Sequence, residues 1–206
     1  MEISIDEMVP LVLRWIHILA GITWIGMLYF FNLVNVNFQK SLDAETKKKV
    51  NPELLLRALF WFRWGAMFTF LAGVGIVGWK YFIRGTGMTG DVGLMSTPGG
   101  QWISFGGLLG TIMWFNVWFV IWPAQKQILG AALGKNPAPD ASVGARALLF
   151  SRVNTWLSLP MLWGMAAGGG HMTRFSPVTA VVVLAIGFAL AHFFIMKAGP
   201  SVKPEV

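Results

Sequence analysis

Five apolar stretches, each close to the ~20 residues a helix needs to cross a hydrocarbon core, divide this chain. They run over about residues 10–34, 58–82, 102–122, 148–168 and 177–196. In lipid a backbone must satisfy its own polar groups, which leaves helices for runs of this length. The expected fold is therefore all-α: a polytopic integral membrane bundle of about five helices, forming one transmembrane domain over residues 1–206. Composition agrees, because 55% of residues are hydrophobic and 12% charged, whereas a soluble domain carries about a quarter charged residues.

The net charge of +7 does not mark a nucleic-acid binder, because the basic residues fall between the apolar runs. Twelve lie at one set of helix ends: Lys40, Lys47, Lys48, Lys49, Arg57, Arg63, Lys126, Lys135, Arg146, Arg152, Lys197 and Lys203. Four lie at the other: Arg14, Lys80, Arg84 and Arg174. The positive-inside rule then puts the N-terminus outside and the C-terminus in the cytoplasm, as for a multi-pass protein of the inner membrane. Tryptophans mark the same two levels, with Trp15, Trp79, Trp102 and Trp163 towards the outer ends and Trp61, Trp64, Trp122 and Trp156 towards the inner ones. The acidic flank MEISIDEM and the length of the first run argue against a cleavable signal peptide.

Cysteine is absent, which excludes disulfides, thiolate metal sites, iron–sulfur clusters and covalent c-type haem. No acidic residue lies in any apolar run, and that argues against a carboxylate proton relay or an ordinary cation transporter. Pro160 predicts a kink in the fourth run, and Pro123 predicts the end of the third. Asn32, Thr69, Thr111, Asn116, Asn154 and Ser158 are expected to hydrogen-bond between helices.

Titratable groups inside lipid point to function, and the three histidines are His17, His171 and His192. In LRWIHILAGITWIG, helical spacing places Arg14, His17, Gly21 and Trp24 on one face. Gly21, one turn from His17, leaves room for a flat ring beside the imidazole. Haem iron is commonly held by His, and Arg14 suits a propionate. The spacing serves close helix packing and a hydrogen-bonded histidine equally well. A second axial ligand must lie at similar depth, which favours His171 in AAGGGHMTRF, with Arg174 nearby as a further propionate partner. His192 lies about fifteen residues into the fifth run, or roughly 22 Å along a helix. It is a reserve candidate.

LRWIHILAGITWIGMLYFFN, NPELLLRALFWFRWGAMFTFLAG, NVWFVIWPAQKQI and SRVNTWLSLPMLWGMAAGGGH resemble the membrane N-terminal domain of bacterial membrane-bound urate oxidases, from about residue 10 to 172. A weaker similarity links the His17 helix and SRVN to the haem-binding membrane protoporphyrinogen oxidases of bacteria. This chain lacks their lysine in the third run and has Asn154-Thr155 where they carry Asn-Glu, which argues against that activity. The resemblance implies His17 and His171 as functional positions and haem b as the cofactor. It also implies electron transfer within a larger redox or respiratory assembly. Complete members of the urate oxidase type end in a c-type cytochrome domain, so electrons are expected to leave this chain through a separate cytochrome, a quinone or a partner complex. Two alternatives remain: a membrane oxidoreductase acting on urate or a similar molecule, and a haem-free structural subunit.

Overall fold

The computed structural model describes residues 4–172 and 174–202; Lys203, one of the twelve basic residues at the inner ends, lies outside them. Among the described residues the chain is all-helical. Four helices, α1 (Ile5–Ser41), α2 (Ala44–Ile83), α3 (Pro98–Ala132) and α5 (Pro177–Ser201), are long and apolar enough to cross a membrane. The other long helix, α4 (Ala141–Ala166), continues through a π-helical turn at Ala167–His171.

Helix starts follow local chemistry. Asp43 caps α2, accepting the backbone N–H of Glu45 and of Thr46 at 2.9 Å each. Thr97 caps α3 by accepting from the Gly100 amide at 3.1 Å, and Pro98 occupies the first turn, where its missing N–H costs nothing. The Pro/Gly connection before α4 ends in Asp140, which accepts from the Ser142 amide at 2.8 Å. Each cap satisfies donors that the helix leaves unpaired.

Successive helices run antiparallel. An Arg84–Asp6 ion pair ties the end of α2 to the start of α1, and Trp102 Nε1 donates to the Arg174 carbonyl at 2.9 Å, tying the start of α3 to the α4–α5 connection. At the opposite end, Gln39 Nε2 donates to Asn51 Oδ1 at 2.7 Å across the α1–α2 turn. The lysine-bearing connections therefore share one end of the bundle.

Helices α1 to α4 enclose a core of Trp24, Leu28, Phe62, Ala66, Met113, Val117, Leu157 and Met161, and α5 lies against α4. Helix α4 packs on α1, α3 and α5 together, and this central place accounts for its polar face. Its Asn154, wholly buried, accepts from Asn116 Nδ2 at 2.8 Å and donates to the Met113 carbonyl at 3.0 Å. Asn32 donates to Ser151 Oγ at 2.8 Å, and Tyr29 meets Ser158 at 2.9 Å. These bonds join α1 and α3 to α4 as the polar residues predict. Thr69 and Thr111 instead bond back to carbonyls of their own helices, Gly65 and Gly107.

The expectation for Pro123 needs correction. Pro123 does not end α3, which continues to Ala132. A π-helical turn at Asn116–Ile121 precedes it, so the missing N–H falls in the first turn of the α segment that resumes at Trp122. Pro160 lies inside helix α4, which continues on both sides of it. The Pro160 ring seats on Gly187 of α5, where an added Cβ would lie 2.6 Å from its Cδ.

Candidate functional site

The α1–α2 contact is built from small residues. Gly65, Thr69 and Gly73 recur at intervals of four and line one face of α2. A Cβ at Gly65 would come within 3.1 Å of the Trp24 amide nitrogen and 3.2 Å of the Ala20 carbonyl oxygen, so the two backbones touch there. Two turns on, a Cβ at Gly73 would stand 3.1 Å from the His17 ring. The imidazole occupies the space that glycine leaves.

His17 is half-buried and its Nδ1 lies 2.8 Å from the Thr69 carbonyl oxygen. A carbonyl oxygen only accepts, so Nδ1 carries the proton and Nε2 keeps a lone pair. Metal-bound histidines are oriented in this way, with one ring N–H on a carbonyl and the other nitrogen facing the metal. The donor chemistry at His17 therefore fits a single axial ligand to haem iron. The geometry also states the packing alternative, since the same bond satisfies a histidine between two membrane helices.

The neighbours differ from what spacing suggests. Gly21 opens no flat slot, because it faces the Thr69 side chain at ordinary contact distance, 3.8 Å from where its Cβ would be. Trp24 is 2% exposed and belongs to the interhelical core. Arg14 is exposed one turn before His17.

His171 is exposed at the end of the π-helical turn after α4, where Gly170 takes φ 106° and turns the chain out of the helix. That turn packs along the first residues of α3, with Gly168 against Ile103 and Gly99. His17 thus packs on α2, and His171 extends from a turn seated on α3. Arg174 is exposed just beyond. His192 is exposed on α5, its ring 6.2 Å from that of Trp156. No group of three or more His, Cys, Asp or Glu side chains gathers for a metal ion among the described residues.

Sequence reasoning misses Thr69 as the partner of His17 and Gly73 as its seat. The signal is present in the four-residue spacing of Gly65, Thr69 and Gly73, which only the facing helix makes meaningful. It also misses a cavity of about 110 Å³ among α1 to α4, lined by Phe31, Asn32, Asn35, Phe62, Gln125 and Ser151. Asn32 Oδ1 is buried there without a hydrogen-bond partner among the described residues, although its amide nitrogen is satisfied. The polar, roomy site suits bound water.

Fold and site together define a helical membrane-protein class with a histidine held between its first two spans. The family model for the urate oxidase N-terminal domain matches residues 93–206, more than half of the chain. The protein belongs to that family. The match takes in α3 to α5, including His171 and His192, whereas the motif resemblance runs from about residue 10 to 172. No curated protein and no solved structure matches the chain.

Proposed function

We propose that this chain is an integral membrane electron-transfer protein that carries haem b, with His17 as an axial ligand. The observation that supports this reading is the His17 Nδ1–H bond to the Thr69 carbonyl, which leaves Nε2 as the metal-binding nitrogen. Bound haem would supply reversible one-electron chemistry. The chain's own residues do the rest. Thr69 fixes the imidazole tautomer, and Gly73 gives the ring its seat. Arg14 and Arg174, at the same end of the bundle, offer cations to carboxylates. His171, also at that end, is the proposed second ligand, with His192 in reserve. The lysine-rich end faces the cytoplasm by the positive-inside rule, so a haem held by His17 would lie towards the outer leaflet of the inner membrane. Electrons pass to a separate cytochrome, a quinone or a partner complex. Helix α4, which lacks an apolar stretch like those of the other four, crosses the bilayer inside the bundle.

An absorption spectrum of the purified protein, before and after dithionite, tests the reading. A Soret band and sharp b-type bands are expected. A featureless visible spectrum from protein expressed with haem supplied would sink the proposal.

The family membership favours a second reading, oxidation of urate or a similar small molecule with electrons leaving to an external acceptor. Anaerobic addition of urate to the oxidised protein separates the two. Reduction of the haem bands marks an enzyme, and an unchanged spectrum marks a relay.

A further inference from the structure

We propose that Arg63 and the aromatic rings around it form a binding site for the phosphate of an anionic phospholipid, where α2 and α3 meet. Arg63 lies in a helix long and apolar enough to span the bilayer. Its guanidinium is 3.9 Å from the centre of the Trp122 ring and 5.8–6.0 Å from those of Phe60, Trp64 and Trp118. Ring faces attract a cation, yet they accept little hydrogen bonding, and the guanidinium presents five N–H donors in a plane. Arg63 Nε is buried with no partner among the described residues. Among the described residues the ion pairs of basic side chains are those of Lys49, Arg57 and Arg84, and none reaches Arg63. A partly buried arginine that cannot deprotonate thus sits among aromatic rings with no counter-anion among the described residues, an arrangement that membrane proteins normally balance.

The surroundings say what anion this would be. The cage lies at the lysine-rich end of the bundle, and Lys126 follows Trp122 by one helical turn, exposed. On the side away from that end, the Phe68 ring lies tilted beside Trp64 at 5.8 Å and is 51% exposed, and Phe119, adjacent to Trp118, is 58% exposed. A phosphate at Arg63 and Lys126 would therefore continue into a strip of outward-facing rings suited to acyl chains. Basic pockets between membrane helices bind anionic headgroups by this chemistry, and Arg meets phosphate bidentately.

The test is native mass spectrometry of the full chain released from nanodiscs that contain phosphatidylcholine with a minor share of cardiolipin. Cardiolipin should be retained over phosphatidylcholine, and Arg63→Gln should reduce that retention by about fivefold, the effect of roughly one cation at a lipid surface. Arg63→Lys, which keeps the charge and loses the planar fork, should fall between the two and guards against misfolding of the glutamine variant. Equal retention by wild type and both variants would overturn the proposal. So would displacement of the lipid by inorganic phosphate at low millimolar concentration, which would make the site one for a free anion.

Discussion

His17 donates its Nδ1 proton to the Thr69 carbonyl, 2.8 Å away across the α1–α2 contact, with its ring against Gly73. The bond involves backbone on one side, so Thr69→Ala should leave it in place, while His17→Ala removes the proposed ligand. Haem bands should persist in the first variant and vanish or change strongly in the second. Gly73→Val is the sharper test, because its added carbons start 3.1 Å from the ring and must push the imidazole aside. Its Soret band should shift or weaken. Bands unchanged in both His17→Ala and Gly73→Val would show that the ligand lies elsewhere.

The backbone contact at Gly65 sets the distance between α1 and α2. A side chain there meets the Trp24 and Ala20 backbones at 3.1–3.2 Å, and backbone cannot turn aside as a side chain can. Gly65→Val should cost ~1–3 kcal/mol, as overpacking does, read as a lower unfolding midpoint in detergent. Gly26, where an added Cβ would meet nothing within 4 Å, is the control, and Gly26→Ala should leave the midpoint unchanged or raise it. Equal behaviour of the two variants would deny the close contact.

Asn154 links α3 to α4 through two hydrogen bonds, to Asn116 and to the Met113 carbonyl. Asn154→Ala should destabilise by ~1–2 kcal/mol, within the range found for polar contacts between membrane helices. Combining it with Asn116→Ala should cost less than the sum of the single changes, since both remove one shared bond. Strict additivity in urea unfolding of the detergent-solubilised protein would argue that the pair is not coupled.

How much of the fold is legible in advance depends on whether the signal is local. Apolar length marks four of the five long helices, because the bilayer fixes that length regardless of neighbours. His17 stands out for the same reason: a titratable group inside an apolar run is visible without a partner. Gly21 misleads because a glycine looks like empty space until the facing helix supplies Thr69. Arg63 reads only as an inner-end charge, since its cage draws Trp118 and Trp122 from a helix more than fifty positions away. Pro123 reads as a stop because helical spacing does not reveal the π-helical turn that accommodates it.

The Asp caps of α2 and α4 give stability a pH dependence with a definite sign. Bonds from the Thr46 amide and hydroxyl hold the Asp43 carboxyl below its ordinary range, and the Ser142 hydroxyl and amide do the same for Asp140. A carboxyl whose pKa is lower folded than unfolded stabilises the fold above the unfolded value, near ~3.9, and the contribution fades as pH falls through the folded value. Asn caps a helix about as well as Asp but does not titrate there. The Asp43→Asn, Asp140→Asn double variant should therefore lose less thermal stability than wild type between pH 5 and pH 3, on the acid side of ~3.9. Thermal unfolding in detergent, followed by circular dichroism at both pH values, measures the difference. Parallel losses in the two proteins would mean that the caps contribute nothing to acid sensitivity.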